Sequence, residues 1–162
     1  MEKIQKVLDK FAEHGIDYKI IHHPAIYTIE EMRQLGLEHS DAVAKNLFLR
    51  EEGKKRYFLL TARHDKTINL KAVQALIGCK RLGFASENDL RAILDLEKGS
   101  VTPLGVLNDR EHRVEVLLDR DILESGEIGL HPNSNTATVW MDVEDLEQLI
   151  RAHGNLFGYV DL

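Results

Sequence analysis

The sequence predicts an α+β fold in which helices pack around a mixed β-sheet, and three observations support this class. Segments with the apolar period of a helix, about 3.6 residues, are mixed with short apolar runs typical of strands, without the regular alternation of a doubly wound sheet. The chain has 162 residues, a length at which one core buries on the order of 70% of the unfolded surface. No repeat or linker divides it, so we expect a single domain over residues 1–162.

The N-terminal segment predicts a helix followed by a short strand. Apolar residues recur at helical spacing from Glu2 to His14, and Gly15 is placed to cap the end. This segment contains acidic residues and lacks the apolar centre of a signal peptide, so secretion is not expected. Tyr18 to Ile21 is then predicted as a strand that ends ahead of Pro24, because the residue before a proline avoids the helical region.

A short helix and a β-hairpin follow. Thr28 and Glu31 have the spacing of a capping box, and Gly36 ends the helix that this box opens. The runs Ala42 to Arg50 and Arg56 to Ala62 are apolar and contain aromatic residues, which is typical of strands. The polar, glycine-containing stretch between these two runs predicts a hairpin turn.

Helix and strand signals continue through the middle of the sequence. Asn69 is placed to cap a helix that Gly78 closes. Arg81 to Ala85 is predicted as a strand, and Ser86 then opens a helix that runs to about Leu94.

The second half predicts mainly strands before a final helix. The predicted strands are Leu104 to Leu107, Arg113 to Leu118, Ile128 to Leu130 and Thr136 to Met141. Asp142 with Asp145 predicts the start of the last helix, and Gly154 lies just past its end.

Charge is distributed unevenly along the sequence. The net charge of −6 argues against non-specific DNA binding. Residues 45–81 nevertheless carry 10 Lys/Arg and 3 Asp/Glu, a net charge of +7. This segment either presents a basic face to a polyanion or forms a solvated hairpin and helix, and composition alone leaves both alternatives open.

Composition also limits the compartment and the cofactor chemistry. No segment approaches the roughly 20 apolar residues of a membrane helix, so no membrane partner is expected. The single cysteine, Cys79, fits a reducing, cytoplasmic setting. The signatures of dinucleotide sites, P-loops, zincins and hydrolase nucleophile elbows are absent, and the histidines lack ligand spacing. We therefore predict neither a cofactor nor a metal.

Lys45 and Asn46 lie in an otherwise apolar strand. Adjacent strand residues point to opposite faces, and both faces of this strand are apolar. In a strand that is buried on both sides, burial of an unpaired ammonium or amide costs several kcal/mol of folding free energy. Either the strand end is exposed at Lys45, or both side chains line a cleft and meet a polar ligand.

Two loops are also candidates for function. Glycine in the loop from Gly99 to Gly105 allows a close approach of the backbone, and such a loop can direct amide groups at an anion or a carbonyl. Residues 129–138 form a polar turn between two predicted strands. Each loop is also explained as an ordinary turn built from turn-forming residues.

These three segments, in this order, resemble the YbaK/ProX family of aminoacyl-tRNA editing domains over essentially the whole sequence. Lys45-Asn46 resembles the family's lysine site, Gly99-x-x-x-Pro103 its glycine-proline loop, and His131-Pro132-Asn133-Ser134-Asn135-Thr136 its late histidine-asparagine segment. Within the family the sequence is most similar to the free-standing type, which is related to the insertion domain of bacterial prolyl-tRNA synthetases. The resemblance implies a partly barrel-like sheet surrounded by helices.

The resemblance implies a cytoplasmic enzyme that acts in trans and hydrolyses the ester of mischarged tRNA(Pro), in the first place Ala-tRNA(Pro). The expected partner is the acceptor end of that tRNA, with prolyl-tRNA synthetase as a candidate second partner. In the family a ribose hydroxyl of the substrate is thought to assist, which agrees with the lack of an evident nucleophile. Three alternatives stay open: a Cys-tRNA(Pro) deacylase of the same family, a non-catalytic tRNA-binding or regulatory module, and an unrelated small-molecule binder.

The resemblance also implies roles for individual residues. Lys45 is expected to hold the terminal phosphate or the ester carbonyl, and Asn46 and His131 to position the aminoacyl group and the attacking water. Backbone amides near Gly99, Ser100 and Val101 are expected to stabilise the oxyanion. The remaining expected substrate contacts are Ile26, Tyr27 and Met32 as pocket walls, Pro103, Asn133 and Asn135 in the two loops, and Lys54, Lys55, Arg56, Lys80 and Arg81 for acceptor-stem phosphates.

Overall fold

The computed structural model describes residues 1–53 and 55–162, and these form helices and strands in mixed order. The elements are α1 Glu2–Glu13, β1 Tyr18–His22, α2 Ile29–Gln34, β2 Lys45–Glu51, β3 Tyr57–Ala62, α3 Leu70–Ile77, β4 Leu82–Phe84, α4 Glu87–Leu94, β5 Val114–Asp119, β6 Glu127–Leu130, β7 Ala137–Asp142, α5 Val143–His153 and β8 Phe157–Val160. Short 3-10 helices cover Ser40–Ala42, Pro103–Asn108 and Arg120–Glu124. The predicted α+β class is confirmed.

The strands form two sheets. One has the order β4-β2-β3-β5-β8 and the other the order β1-β7-β6. The larger sheet is mixed, because β4, β2 and β3 pair antiparallel while β3, β5 and β8 pair parallel. A parallel bridge between Val43 and Gly129 joins the two sheets just before β2. Over the described residues the sheets do not close into a barrel, so the expected mixed sheet is present without barrel closure.

Two cores cover the faces of the larger sheet. The main core combines one face of this sheet with side chains of the smaller sheet and of α1, α4 and α5, around fully buried residues such as Phe11 and Leu118. The second core packs Val73 of α3 against Leu49 and Phe58 on the other face. Every residue of β3 is buried, which explains why the strand is apolar on both faces except at Thr61 instead of alternating.

The helices begin at the capping residues that the sequence predicts. The side chains of Thr28, Asn69 and Ser86 each accept hydrogen bonds from amides in the first turn. At α2 the reciprocal bond differs from a standard capping box, because the Glu31 carboxylate accepts from the Tyr27 N–H, at 3.3 Å. Tyr27 is therefore tied to the first turn of α2. None of the described helices combines the length and apolar character that a membrane crossing requires.

The predicted strand over Leu104 to Leu107 is wrong, because this segment lies in the 3-10 helix Pro103–Asn108. The Thr102 hydroxyl accepts from the Leu104 N–H at 3.3 Å, and proline at the first helical position has the φ value that a helix needs. Conversely, the sequence does not predict β8, which pairs in parallel with β5. In both places the outcome depends on hydrogen bonds that an apolar pattern does not specify.

The first half of β2 has an open edge. One edge of β2 pairs with β3, whereas on the other edge β4 pairs only with the last three residues of β2. On that second edge the Ala44 N–H donates to the Gly129 C=O, and the Phe48 C=O accepts from the Ala85 N–H, both at 3.0 Å. Alternate residues of a strand direct their backbone groups to the same edge. Asn46 therefore directs its backbone N–H and C=O to this edge, where no described strand pairs with it.

Candidate functional site

A cavity of about 200 Å³ opens at the start of β2. Its walls come from α2 and the loop before it, the start of β2, the Gly99 loop and the end of β6. It brings together eight of the predicted site residues: Ile26, Tyr27, Met32, Lys45, Asn46, Gly99, Val101 and His131. The contributing segments are distant in sequence, so the cavity exists only in the folded protein.

Lys45 lines this cavity and forms no ion pair with an Asp or Glu of the described residues. Its Nζ donates a hydrogen bond to the backbone carbonyl oxygen of Lys66. The Lys66 ammonium is itself held by Asp119 at 2.8 Å and Asp121 at 2.7 Å, which fixes the segment that carries this carbonyl. An ammonium has three donors, so Lys45 retains donors and its charge for an oxygen of a ligand. This arrangement agrees with the alternative in which Lys45 lines a cleft and meets a polar ligand.

The amide of Asn46 is held in one orientation by β3. The Thr61 hydroxyl donates to Asn46 Oδ1 at 2.7 Å, and the two residues are paired across the β2–β3 ladder. Since this bond occupies the amide oxygen, Nδ2 of Asn46 is left as a donor at the cavity wall. A donor fixed in this way can hold a carbonyl oxygen of a substrate.

His131 also lines the cavity and supplies an acceptor. Its Nδ1 hydrogen-bonds the Ala137 C=O at 3.0 Å, and because a carbonyl only accepts, Nδ1 carries the proton. Burial lowers the pKa of His131 below its usual value, and the nearby His23, whose ring centroid is 6.3 Å away, lowers it further. His131 is therefore neutral at pH 7, and Nε2 can accept a proton from water.

The Gly99 loop packs directly against Tyr27. Gly99 has φ +89°, and an ideal Cβ at this position would lie 2.6 Å from Tyr27 Cδ1. Only glycine combines this backbone conformation with such a close ring. The Tyr27 side chain is 66% exposed and stands at the edge of the cavity, so the loop and the ring together form one side of its entrance.

The three amides predicted for the oxyanion differ in their surroundings. The Ser100 N–H donates to the Glu97 C=O at 3.0 Å, and the buried Ser100 side chain does not line the cavity. Gly99 and Val101 both line it, and neither N–H has an acceptor among the described residues. Gly99 and Val101 are thus the two amides of this loop that remain available to an oxyanion.

The rest of the cavity wall is apolar and well packed. Ile26, Met32, Val43 and Leu130 line it, and all four are buried. They restrict the space next to Lys45 and Asn46 to a small, apolar pocket. This is the expected position for the predicted pocket walls Ile26 and Met32.

Pro103, Asn133 and Asn135 lie behind the cavity and do not line it. Asn135 Nδ2 donates to the Ile26 C=O at 2.9 Å, and the Ile26 N–H donates to the Asn135 C=O at 3.2 Å. Asn133 is buried with φ +62°, and Pro103 is buried at the start of its 3-10 helix. Asn135 therefore holds the segment that carries Ile26, and direct contact of any of the three with substrate stays a prediction.

The basic residues predicted for phosphate contacts lie at the other end of the hairpin. Lys55, Arg56, Lys80 and Arg81 flank the turn after β2, which the strand rise places about 20 Å from Lys45. Arg56 binds both carboxylate oxygens of Glu115, at 2.9 and 3.1 Å, which raises the pKa of Arg56. Lys54, also predicted for this role, lies outside the described residues. The structure therefore does not bring Lys55, Arg56, Lys80 and Arg81 to the cavity.

The charge of the +7 segment is partly compensated in the fold. Four of its basic residues form ion pairs with acidic residues: Arg50 with Asp89, Arg56 with Glu115, Arg63 with Asp65, and Lys66 with Asp119 and Asp121. Most of these partners belong to the acidic second half of the sequence. These pairs reduce the positive charge of the segment without removing it.

Two residues that support the site are not singled out by the sequence analysis. Thr61 orients Asn46, and the available signal is its position opposite Asn46 in the predicted hairpin. His23 hydrogen-bonds Thr138 Oγ1 at 2.8 Å and lies beside His131; no signal in the sequence links these two histidines. Among the described residues, no group of three or more His, Cys, Asp and Glu residues could hold a metal ion.

Comparison with known proteins relates this chain to aminoacyl-tRNA editing domains by sequence. A family model described as an aminoacyl-tRNA editing domain matches residues 23–149. The chain is 43% identical over 162 residues to the prolyl-tRNA editing protein ProX of Acetoanaerobium sticklandii, covering 100% of this chain and 99% of that protein. It is 36% identical over 145 residues to the prolyl-tRNA synthetase associated domain-containing protein 1 of Mus musculus, covering 87% and 85%.

A solved structure shares the fold. The chain superposes with a TM-score of 0.74 and 21% identity on the crystal structure of a candidate trans-editing enzyme for prolyl tRNA synthetase, covering 100% of this chain and 97% of that one. A shorter match, 33% identical over 100 residues, covers 61% of this chain and 16% of the proline–tRNA ligase of Bacillus licheniformis.

Proposed function

The chain belongs to the aminoacyl-tRNA editing domain family and is a deacylase, and we propose that it hydrolyses the ester bond of mischarged tRNA(Pro), with Ala-tRNA(Pro) as its main substrate. The relative from Acetoanaerobium sticklandii is named a prolyl-tRNA editing protein, which supports tRNA(Pro) as the tRNA of the substrate. The buried apolar side chains in the cavity wall suit a short apolar side chain such as that of alanine.

The observation that carries this proposal is the position of Lys45 beside a small apolar pocket. Lys45 and Asn46 both line a cavity of about 200 Å³. Ile26, Met32, Val43 and Leu130 add buried apolar side chains to its wall. A cationic donor next to a small apolar space matches an esterified amino acid with a short side chain, whose carbonyl or terminal phosphate binds Lys45.

The site residues supply each part of an ester hydrolysis. Lys45 and Asn46 Nδ2 hold the carbonyl and the adjoining phosphate oxygens. As the water oxygen bonds to the carbonyl carbon, His131 Nε2 accepts a proton from it, either directly or through the neighbouring ribose hydroxyl of the substrate. The proton is returned to the ribose oxygen that leaves when the ester bond breaks. The Gly99 and Val101 amides stabilise the negative charge that develops on the carbonyl oxygen. The ester is already an activated bond, so positioning and charge stabilisation suffice without a protein nucleophile.

A separate hydrolytic site solves a selectivity problem that a synthetase site has with small amino acids. A pocket built for proline rejects alanine only weakly, because each missing methylene is worth about 1 to 3 kcal/mol. A second site that excludes the larger proline ring removes alanine after transfer. Such an enzyme acts in trans in the cytoplasm, where aminoacyl-tRNAs are made, and a stable complex with prolyl-tRNA synthetase is not required.

The test is the release of the amino acid from Ala-tRNA(Pro), Cys-tRNA(Pro), Pro-tRNA(Pro) and Ala-tRNA(Ala) by the purified protein. We expect rapid hydrolysis of Ala-tRNA(Pro) and little of the other three. Lys45→Ala is expected to lower the rate by at least about 100-fold, since it removes a charge-assisted contact to the reacting group. Lys55→Ala, which removes an exposed lysine at the far end of the hairpin, serves as the matched control.

Each result has a defined meaning. Faster release of cysteine than of alanine would show that the protein is a Cys-tRNA(Pro) deacylase that uses the same site. Hydrolysis that survives Lys45→Ala would refute the catalytic assignment of this cavity. Binding of tRNA(Pro) without hydrolysis of any of the four substrates would leave a non-catalytic tRNA-binding module.

A further inference from the structure

A second cavity of about 260 Å³ adjoins the site cavity and has no role in the reaction described above. The two cavities share Asn46 and Val101. The other walls of the second cavity are mainly apolar and comprise Leu47, Phe48, Phe84, Ala85 and Leu90. One ligand can therefore occupy both cavities at the same time.

Phe84 leaves its ring exposed at this cavity. It is the last residue of the edge strand β4, it belongs to neither core, and 63% of it is exposed. Among the Phe, Tyr and Trp side chains of residues 1–53 and 55–162, only Phe84 and Tyr27 are more than half exposed. Each of these rings stands at one of the two adjoining cavities. An exposed aromatic ring beside a cavity is a surface on which a flat ring can stack.

The open edge of β2 lies between the two cavities. Asn46 directs its backbone N–H and C=O to this edge, between the bonds that Ala44 makes to β6 and Phe48 makes to Ala85, just after β4. A donor and an acceptor are thus available at the junction. A sugar ring, which carries hydroxyl groups that donate and accept, fits such a junction.

We propose that the second cavity binds the terminal nucleobase of the aminoacylated RNA and that Phe84 is the ring on which this base stacks. This inference rests on the function proposed above. In an aminoacyl-tRNA the ester and the terminal base are attached to the same ribose. When the ester occupies the site cavity, the base must lie one sugar ring away, and the second cavity adjoins the first at Asn46 and Val101.

The surroundings of the second cavity fit a neutral base better than another phosphate. The N-terminus of α4, whose amides would attract an anion, is already capped by Ser86. The Glu87 carboxylate lies at the cavity, and the Lys98 ammonium at its rim is 3.8 Å from this carboxylate. The acidic group repels a phosphate, and the lysine, whose charge is compensated, does not attract one. Both groups can form hydrogen bonds with the polar edge of a base.

The test uses the trinucleotide CCA, with the terminal sequence of tRNA, labelled at its 5′ end and titrated with the protein by fluorescence anisotropy. A second trinucleotide lacks only the terminal base. We expect the wild-type protein to bind CCA about tenfold more tightly than the abasic form, and Phe84→Ala to weaken CCA binding by about the same factor without affecting the abasic form. Phe84→Trp should retain the preference for CCA. Leu156→Ala, which removes an exposed apolar side chain outside both cavities, is the matched control.

The same experiment distinguishes failure of this inference from failure of the proposed function, because it does not depend on hydrolysis. Equal binding of both trinucleotides by the wild type, unchanged CCA binding by Phe84→Ala, or no binding of CCA at the end of the protein titration would each overturn the nucleobase subsite. If CCA binding depends on Phe84 but no mischarged tRNA is hydrolysed, the subsite stands and the deacylation of tRNA(Pro) is refuted.

Discussion

The Thr61 hydroxyl donates a 2.7 Å hydrogen bond to Asn46 Oδ1 across the β2–β3 ladder. Thr61 is fully buried, so this bond satisfies a hydroxyl that water does not reach. The same bond holds the Asn46 amide with Nδ2 free at the cavity wall. The geometry of the site therefore depends on a residue that does not itself line the cavity.

Replacing Thr61 by valine keeps the shape of the side chain and removes this bond. We expect Thr61→Val to lower kcat for deacylation about tenfold with KM changed less than about twofold, because Asn46 then no longer presents one fixed donor in the transition state. The free energy of unfolding should fall by about 1 kcal/mol. Single-turnover hydrolysis and urea denaturation measure the two effects. Thr67→Val, at an exposed position, is the control, and an unchanged kcat in Thr61→Val would show that the orientation of Asn46 does not matter.

A methyl group at Gly99 is expected to displace Tyr27. Gly99→Ala places Cβ only 2.6 Å from the present position of Tyr27 Cδ1 and also strains a backbone with φ +89°. We expect kcat/KM to fall by about tenfold or more, as measured by initial rates on the mischarged tRNA. Gly53 has the same φ, +89°, with nothing near its Cβ position, so Gly53→Ala controls for backbone strain alone. Equal losses in both variants would contradict a specific role for the Gly99–Tyr27 contact.

The pH dependence of the reaction should follow His131. Burial lowers the pKa of His131 below its usual value of 6.5, so we expect kcat to be constant near pH 7 and to fall on the acid side only below pH 6.5. His23→Gln removes the electrostatic influence of His23 that lowers the pKa of His131, and it should move this acid limb to higher pH. A pH–rate profile, corrected for spontaneous ester hydrolysis, measures both, and a midpoint above pH 6.5 in the wild type would contradict the assignment.

The same pKa shift links pH to stability. Because the native pKa of His131 is below the unfolded value, the native state binds fewer protons than the unfolded state as the pH falls. The contribution of His131 to the free energy of unfolding is therefore complete above pH 6.5 and is lost as the pH falls towards its native pKa.

The Tyr159 hydroxyl ties β8 to α5 by donating to the Glu147 carboxylate. Burial and this bond raise the pKa of Tyr159 far above its usual range, so the phenol stays protonated. We expect Tyr159→Phe to lower the free energy of unfolding by about 1 to 2 kcal/mol, measured by urea denaturation, with deacylation unchanged. Tyr18→Phe, which alters a partly exposed tyrosine in β1, should change stability by less than about 0.5 kcal/mol. A loss of activity in Tyr159→Phe would show that β8 influences the site.

Features with a local physical cause are predictable from the amino-acid sequence of this protein. The caps at Asn69 and Ser86 predict the starts of α3 and α4, because a side chain that bonds its own first turn needs no distant partner. The hairpin of β2 and β3 follows in the same way from two apolar runs around a polar turn. The occurrence of Lys45 and Asn46 in an apolar strand is also visible in the sequence, and it correctly indicates a place where polar groups meet the core.

Features that depend on distant partners emerge only in the folded protein. The strand state of β8 requires β5, and the segment after Thr102 forms a 3-10 helix although its apolar pattern fits a strand. The basic residues near Lys55 cluster in sequence with Lys45, but the length of an extended strand separates them in space. His131 reaches Lys45 because the bridge between Val43 and Gly129 joins the two sheets at the start of β2. Sheet pairing fixes such long-range positions through backbone hydrogen bonds, which every residue except proline can make, so the pattern of side chains alone does not specify them.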